Sequence, residues 1–145
     1  MALVLLTGLN ICACSQESPL GKATASLFND EPQVKQTSYT AWKTARDEGP
    51  RASMKKSSDH LQKAIASADV TPEKAAPDAF AAWWYNLAAQ YWIENAAQKP
   101  GGEVFVTPIE GIIKARQDLQ KALGWDGEMA DRLEREAYRI MESYK

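Results

Sequence analysis

Beyond about position 36, apolar residues recur at the 3.6-residue spacing of α-helices. The helices that this pattern predicts end at proline, glycine or capping signals. They cover about 38–48, 51–68 and 78–97, a segment opened by the capping box Thr107–Glu110, and a last segment opened by Asp126. The sequence therefore predicts an all-α domain of antiparallel helical hairpins, about five helices in all, over residues 37–145.

The third predicted helix, about Asp78 to Ala97, carries bulky side chains around its whole circumference. Its positions on one face are Phe80, Trp84, Leu87 and Tyr91, while others carry Trp83, Tyr85 and Trp92. A helix that is apolar nearly all round is buried on several sides. We therefore expect this helix in the middle of a layered arrangement.

The second predicted helix has a single inward stripe at spacings of three and four residues. The stripe comprises Met54, Ser58, Leu61, Ile65 and Ala68. Gly124 is the expected left-handed residue after the fourth helix, and Asp126 the expected N-cap of the last.

Composition narrows the function classes. The chain has 145 residues, of which 45% are hydrophobic and 25% charged, with a net charge of −2. These values suit one soluble domain plus a tail. Nucleic-acid binding is not expected, because it needs a basic face that releases phosphate counterions. The two cysteines, Cys12 and Cys14, lie at the far N-terminus, so the predicted domain contains no thiol.

The segment Ala2–Cys14 is apolar almost throughout and uncharged. It is too short to span a bilayer as a helix, which needs about 20 residues. Its length matches the apolar region of a secretory signal, although no Lys or Arg precedes it.

Ile11-Cys12-Ala13-Cys14 resembles the lipobox of bacterial lipoproteins, with an aliphatic residue at −3 and a small residue at −1. The resemblance implies that residues 1–13 are a signal peptide and that Cys14 carries the lipid. It also implies a lipid anchor on the periplasmic side, in the outer rather than the inner membrane because Ser15 follows the cysteine. An ordinary cleaved signal and a buried N-terminal strand are the alternatives.

Residues 14–36 form the expected link between the lipid and the domain. Polar residues dominate the stretch from Ser15 to Gln36, and no helix or strand period persists. This pattern predicts a flexible tether, in which Leu27 and Phe28 could dock locally.

Trp84-Tyr-Asn-Leu-Ala-Ala-Gln-Tyr91 resembles the first helix of a tetratricopeptide repeat, whose pattern is W-x₂-L-small-x₂-Y. Ala115, Leu119 and Ala122 match the second helix of that repeat, where small residues let helices approach closely. The spacing between the matching segments exceeds the regular period of about 34 residues. The resemblance implies a degenerate, tetratricopeptide-like array. A plain four- or five-helix bundle is the alternative.

Catalytic patterns are absent from the sequence. His60 is the only histidine, and neither a metal-binding pair nor a phosphate-binding loop occurs. Glu94 and Asn95 are the least easily explained polar residues. We therefore expect no enzyme activity, no metal and no cofactor. The alternative is a cell-envelope enzyme or small-ligand binder with a pocket around Glu94 and His60.

Aromatic residues are the remaining candidates for function, because exposed Trp and Tyr are favoured binding anchors. The candidate partner-binding residues are Trp83, Tyr85, Trp92, Phe105 and Trp125. Burial of both Trp83 and Trp84 in the core is the alternative. The sequence thus predicts a membrane-anchored periplasmic lipoprotein that acts as an interaction adaptor or accessory subunit of an envelope complex. Its expected partners are other proteins and, through acylated Cys14, the lipid bilayer.

Overall fold

Six α-helices make up most of the structure, a computed structural model that describes residues 17–68, 71–97 and 109–145. The helices are α1 (Pro19–Ser26), α2 (Glu31–Glu48), α3 (Pro50–Ala68), α4 (Pro72–Ala97), α5 (Ile109–Ala122) and α6 (Gly127–Glu142), with a 3₁₀ turn at Leu27–Asn29. These ranges contain no β-strand. The all-α prediction is confirmed.

Local signals place several helix ends as predicted. Gly49 has a φ of 98° at the end of α2, and Gly124 has a φ of 77° after α5. The Asp126 carboxylate accepts a hydrogen bond of 2.8 Å from the backbone N–H of Met129 at the start of α6. Thr107, the first residue of the predicted capping box, lies outside the described ranges.

Helix α4 is the centre of the molecule, as its apolar circumference predicts. All five other helices pack against it. Residues on opposite sides of the helix are buried, among them Phe80, Ala82, Trp83 and Tyr85. The helix begins at Pro72, six residues before the predicted start, and runs through Pro77.

The predicted inward stripe of α3 is wrong by one position over most of its length. Ser53, Ser57 and Ala64 are buried, whereas Ser58 is exposed and Ile65 is 65% exposed. The Ser53 and Ser57 hydroxyls each donate a 2.6 Å hydrogen bond to backbone carbonyls of α4. Small residues therefore let α3 approach α4 closely. The buried serine hydroxyls are satisfied because each finds a carbonyl acceptor at this contact.

The predicted flexible tether is wrong from Pro19 onwards, because α1, the 3₁₀ turn and the first turns of α2 occupy this stretch. The Ser18 side chain caps α1 by accepting from the N–H of Gly21, and Asp30 caps α2 by accepting from that of Gln33. The apolar residues of this stretch, Leu20, Ala25, Leu27, Phe28 and Val34, pack against the main core.

Both ends of the described chain pack against distant parts of the fold. The backbone N–H of Ser18 donates to the carbonyl of Leu123 over 3.1 Å, and the Ser38 and Tyr144 hydroxyls are 2.7 Å apart. In a regular repeat array each unit contacts only its neighbours. Of the small residues matched to the tetratricopeptide pattern in α5, Ala115 and Ala122 are exposed. The resemblance to that family stays a prediction.

None of the helices in the described ranges is long and apolar enough to cross a membrane.

Candidate partner-binding groove

A groove of about 1150 Å³ runs between the N-terminal elements and α6. One wall consists of α1, the 3₁₀ turn and the start of α2, and the other wall is α6. Its apolar lining includes Phe28, Val34, Trp84, Leu133, Ala137 and Ile140. We refer to this depression as the groove.

The α1 wall is held by a close approach to the turn between α5 and α6. A Cβ atom added to Gly21 would lie 1.8 Å from the carbonyl oxygen of Leu123, so only glycine fits there. The Trp125 indole N–H donates to the carbonyl of Gly21 over 3.1 Å. The Ser18 N–H donates to the same carbonyl of Leu123. These contacts fix the position at which the described chain enters the fold.

Phe28 joins the N-terminal wall to the aromatic core. Its ring centroid lies 4.8 Å from that of Phe80 and 5.2 Å from that of Trp83, both edge-on. It also lies 6.0 Å from the ring of Trp125. Edge-to-face pairs at these distances are favourable beyond their buried area. One residue of the predicted tether is therefore an integral part of the core.

The α6 wall is held by a buried polar network that joins three helices. Arg116 on α5 is only 3% exposed. Its Nε donates to Glu134 Oε2 on α6 over 3.2 Å, and its guanidinium donates to Asn86 Oδ1 on α4 over 2.8 Å. The Gln120 amide donates to the same Glu134 oxygen over 2.7 Å. A buried charge is tolerated when it is paired and hydrogen-bonded, and this one fixes α6 against α4 and α5.

A second set of hydrogen bonds ties the C-terminal half of α6 to the end of α4. The Tyr138 hydroxyl donates to the Glu94 carboxylate, and the Tyr91 hydroxyl donates to Glu142 over 3.0 Å. Burial, reinforced by the neighbouring Glu94 carboxylate, raises the pKa of Tyr138 well above its usual range. Glu94 thus has a structural partner, and Asn95 has one too, because its side-chain amide donates to the carbonyl of Tyr91.

The rim of the groove carries an excess of positive charge. Five cationic side chains line it: Lys22, Lys35, Arg132, Arg135 and Arg139. Three carboxylates do so as well, namely Glu17, Glu31 and Glu136. Glu136 pairs with Arg139. The rim is therefore locally basic in a chain whose net charge is −2.

Trp84 is one of the groove-lining residues, but its indole N–H is buried. Its side chain is fully buried, and its indole N–H has no hydrogen-bond acceptor among the described residues. Trp83 is equally buried and its indole N–H also lacks one, but it does not line the groove. Buried donors are paired in most proteins, so each exception calls for a specific explanation.

The candidate anchors from the sequence do not form an exposed aromatic edge. Trp83, Tyr85 and Trp125 are 0%, 7% and 6% exposed. Trp125 lies on a turn, which favours exposure, but α1 covers it and accepts its N–H. Trp92 is half-buried, and its N–H donates to the carbonyl of Trp42 over 3.1 Å. Cys14 and Phe105 lie outside the described residues.

The groove residues Phe28, Val34 and Ile140 were not among the candidates from the sequence. Two sequence signals indicate the starts of α1 and α2, the helices of the N-terminal wall. Ser18-Pro19 and Asp30-Glu31-Pro32 each combine a capping side chain with a proline in the first turn, which is a helix-start signature.

The residues of the alternative pocket are not brought together. His60 Nδ1 lies 2.8 Å from Asp78 Oδ1, and the imidazole stacks on the ring of Tyr85. Asp78 and Glu94 are sixteen residues apart on α4, or about 24 Å along the helix axis. No cluster of three His, Cys, Asp or Glu side chains suited to a metal ion occurs within the part of the chain described.

No family model matches the chain, and no curated protein or solved structure shows significant similarity to it.

Proposed function

We propose that this protein is a membrane-anchored lipoprotein of the bacterial periplasm that acts as an interaction adaptor or accessory subunit of an envelope complex. The observation that carries the binding part of the proposal is the groove, with its apolar lining and basic rim. The anchoring part rests on the resemblance of Ile11–Cys14 to a lipobox. Ser15 after the cysteine favours the outer membrane.

The groove suits a helix or an extended segment of a partner protein. Apolar side chains of that segment would cover Phe28, Val34 and Ile140. An acidic residue flanking them would pair with Lys35 on the rim, which improves specificity and association rate more than affinity. This mode resembles the binding of an amphipathic helix in a groove.

The anchor increases the concentration of the domain next to membrane partners. Two or three acyl chains hold a protein stably, since each buried methylene contributes about 0.8 kcal/mol. Confinement to one surface raises effective concentration without any new contact. A modest affinity of the groove for its partner segment is therefore sufficient.

The anchor is tested by expressing the full chain and its Cys14→Ser variant in a diderm bacterium. We expect the parent protein in the outer-membrane fraction, with a diacylglycerol mass on the peptide that begins at Cys14. We expect the variant to leave that fraction. A parent protein whose Cys14 carries no lipid contradicts the anchor.

The groove is tested with one pair of apolar-to-acidic variants. Ile140→Asp places a carboxylate in the half-buried lining of the groove. Ile65→Asp makes the same change on α3, at a site that is 65% exposed and outside the groove. A photo-crosslinker at Val34 identifies the bound protein by mass spectrometry. We expect Ile140→Asp to abolish that crosslink and Ile65→Asp to preserve it. Equal crosslinking by both variants, once circular dichroism shows both folded, contradicts the proposal.

A further inference from the structure

The proposed anchor lies very near the groove. Glu17 lines the groove and is the first described residue of the chain. Cys14 precedes it by three residues, which span at most about 11 Å when fully extended. The predicted tether of 14–36 would have given tens of ångströms of reach, but α1 and α2 use most of that stretch. An acyl group on Cys14 therefore holds the Glu17 end of the groove within a short distance of the bilayer.

The charges around the groove complement a bacterial membrane surface. Five cations and three carboxylates line it, although the chain as a whole is acidic. Lys22, Arg132 and Arg135 are exposed there. Anionic headgroups attract such residues, roughly fivefold in binding for each Lys or Arg near the surface. The part of the molecule nearest the anchor is thus also one that an anionic surface attracts.

Apolar side chains lie between these cations. Val34, Met129 and Ile140 line the groove and are half-buried, so part of each side chain reaches solvent. A surface that combines Lys and Arg with partly exposed apolar residues is typical of proteins that rest in the membrane interface.

We propose that the groove faces the membrane, with Lys22, Arg132 and Arg135 against anionic lipid headgroups. This inference rests on the proposed acylation of Cys14. This orientation also places the protein partner at the membrane, because a segment that enters the groove then runs along the membrane surface or emerges from it.

Two matched serine-to-cysteine variants test the orientation in the acylated full-length protein. Ser26 is exposed and lines the groove, whereas Ser58 is exposed on α3 outside it. Each variant is labelled with the same fluorophore and bound to vesicles of zwitterionic lipid with or without phosphatidylglycerol. Iodide quenching then reports how far each label is shielded from water.

On vesicles with phosphatidylglycerol, we expect quenching at position 26 to fall at least twofold and quenching at position 58 to stay unchanged. The difference should disappear in 1 M salt, where the screening length is about 3 Å, and in the variant Arg132→Glu/Arg135→Glu. Equal quenching of the two labels on acylated protein overturns this inference and leaves the proposed function standing. A Cys14 peptide without acyl mass overturns both.

Discussion

Substitution of Phe28 by alanine measures whether the N-terminal elements belong to the folded core. The ring contacts Phe80, Trp83 and Trp125 at centroid distances of 4.8, 5.2 and 6.0 Å. Truncation of a core phenylalanine to alanine costs about 3–5 kcal/mol. Because Phe28 is half-buried, we expect a smaller loss, about 2–3 kcal/mol in the free energy of unfolding. That loss lowers the melting temperature by roughly 6–15 °C for a domain of this size.

Urea denaturation followed by circular dichroism and tryptophan fluorescence measures this loss. Ile65→Ala is the control, because Ile65 is 65% exposed and should change the free energy of unfolding by less than about 0.5 kcal/mol. If Phe28→Ala is as mild as Ile65→Ala, residues 19–30 are a tether and the N-terminal wall of the groove does not exist as described.

Further predictions concern the contacts that hold the groove walls. Gly21→Ala should destabilise the protein, because its Cβ meets the Leu123 carbonyl. Gly111→Ala should stabilise the protein by about 0.5–1 kcal/mol, because a Cβ at this position would lie in open space. Thermal melts should show a lower melting temperature for Gly21→Ala and a higher one for Gly111→Ala. Arg116→Met should cost about 3–5 kcal/mol in urea denaturation, because it leaves buried polar partners unpaired; a loss below 1 kcal/mol would refute the network. Folding raises the pKa of Tyr138, so the unfolded chain releases that proton first and stability should fall as pH rises above about 10. Tyr138→Phe should lessen that fall in alkaline denaturation curves, and an unchanged curve counts against the assignment.

The sequence predicted those features that depend on local signals or on one helix alone. Rings around all sides of the segment from Phe80 to Trp92 require burial on several sides, and α4 is indeed surrounded. Gly49, Gly124 and Asp126 act within one turn of chain, so their roles could be predicted without the rest of the fold.

Prediction failed where distant parts of the chain meet. Trp125 sits on a turn, which suggests exposure, but α1 covers it from more than a hundred residues away in sequence. Ser53 and Ser57 are polar, yet they form the close contact with α4 because each hydroxyl finds a carbonyl there. Hydrophobic periodicity cannot detect either effect.

The groove itself could not be predicted, since it needs α1 beside α6. The sequence stretch around Leu27 and Phe28 has few apolar residues, and it folds because the aromatic core of α4 supplies the partners. Its helix-start signatures, Ser18-Pro19 and Asp30-Glu31-Pro32, were the only local indication.

The central claim, that the groove binds a partner segment, is tested most directly by comparing Ile140→Ala with Ile65→Ala. Ile140 lines the groove and is half-buried, whereas Ile65 is 65% exposed on α3 and lies outside the groove. Affinity is measured for the partner that crosslinks at Val34. Loss of one or two methylene groups from the buried contact, at about 0.8 kcal/mol each, predicts affinity roughly four- to fifteenfold weaker for Ile140→Ala. Ile65→Ala should bind the partner as the parent protein does, and equal affinities for the two variants would contradict binding in the groove.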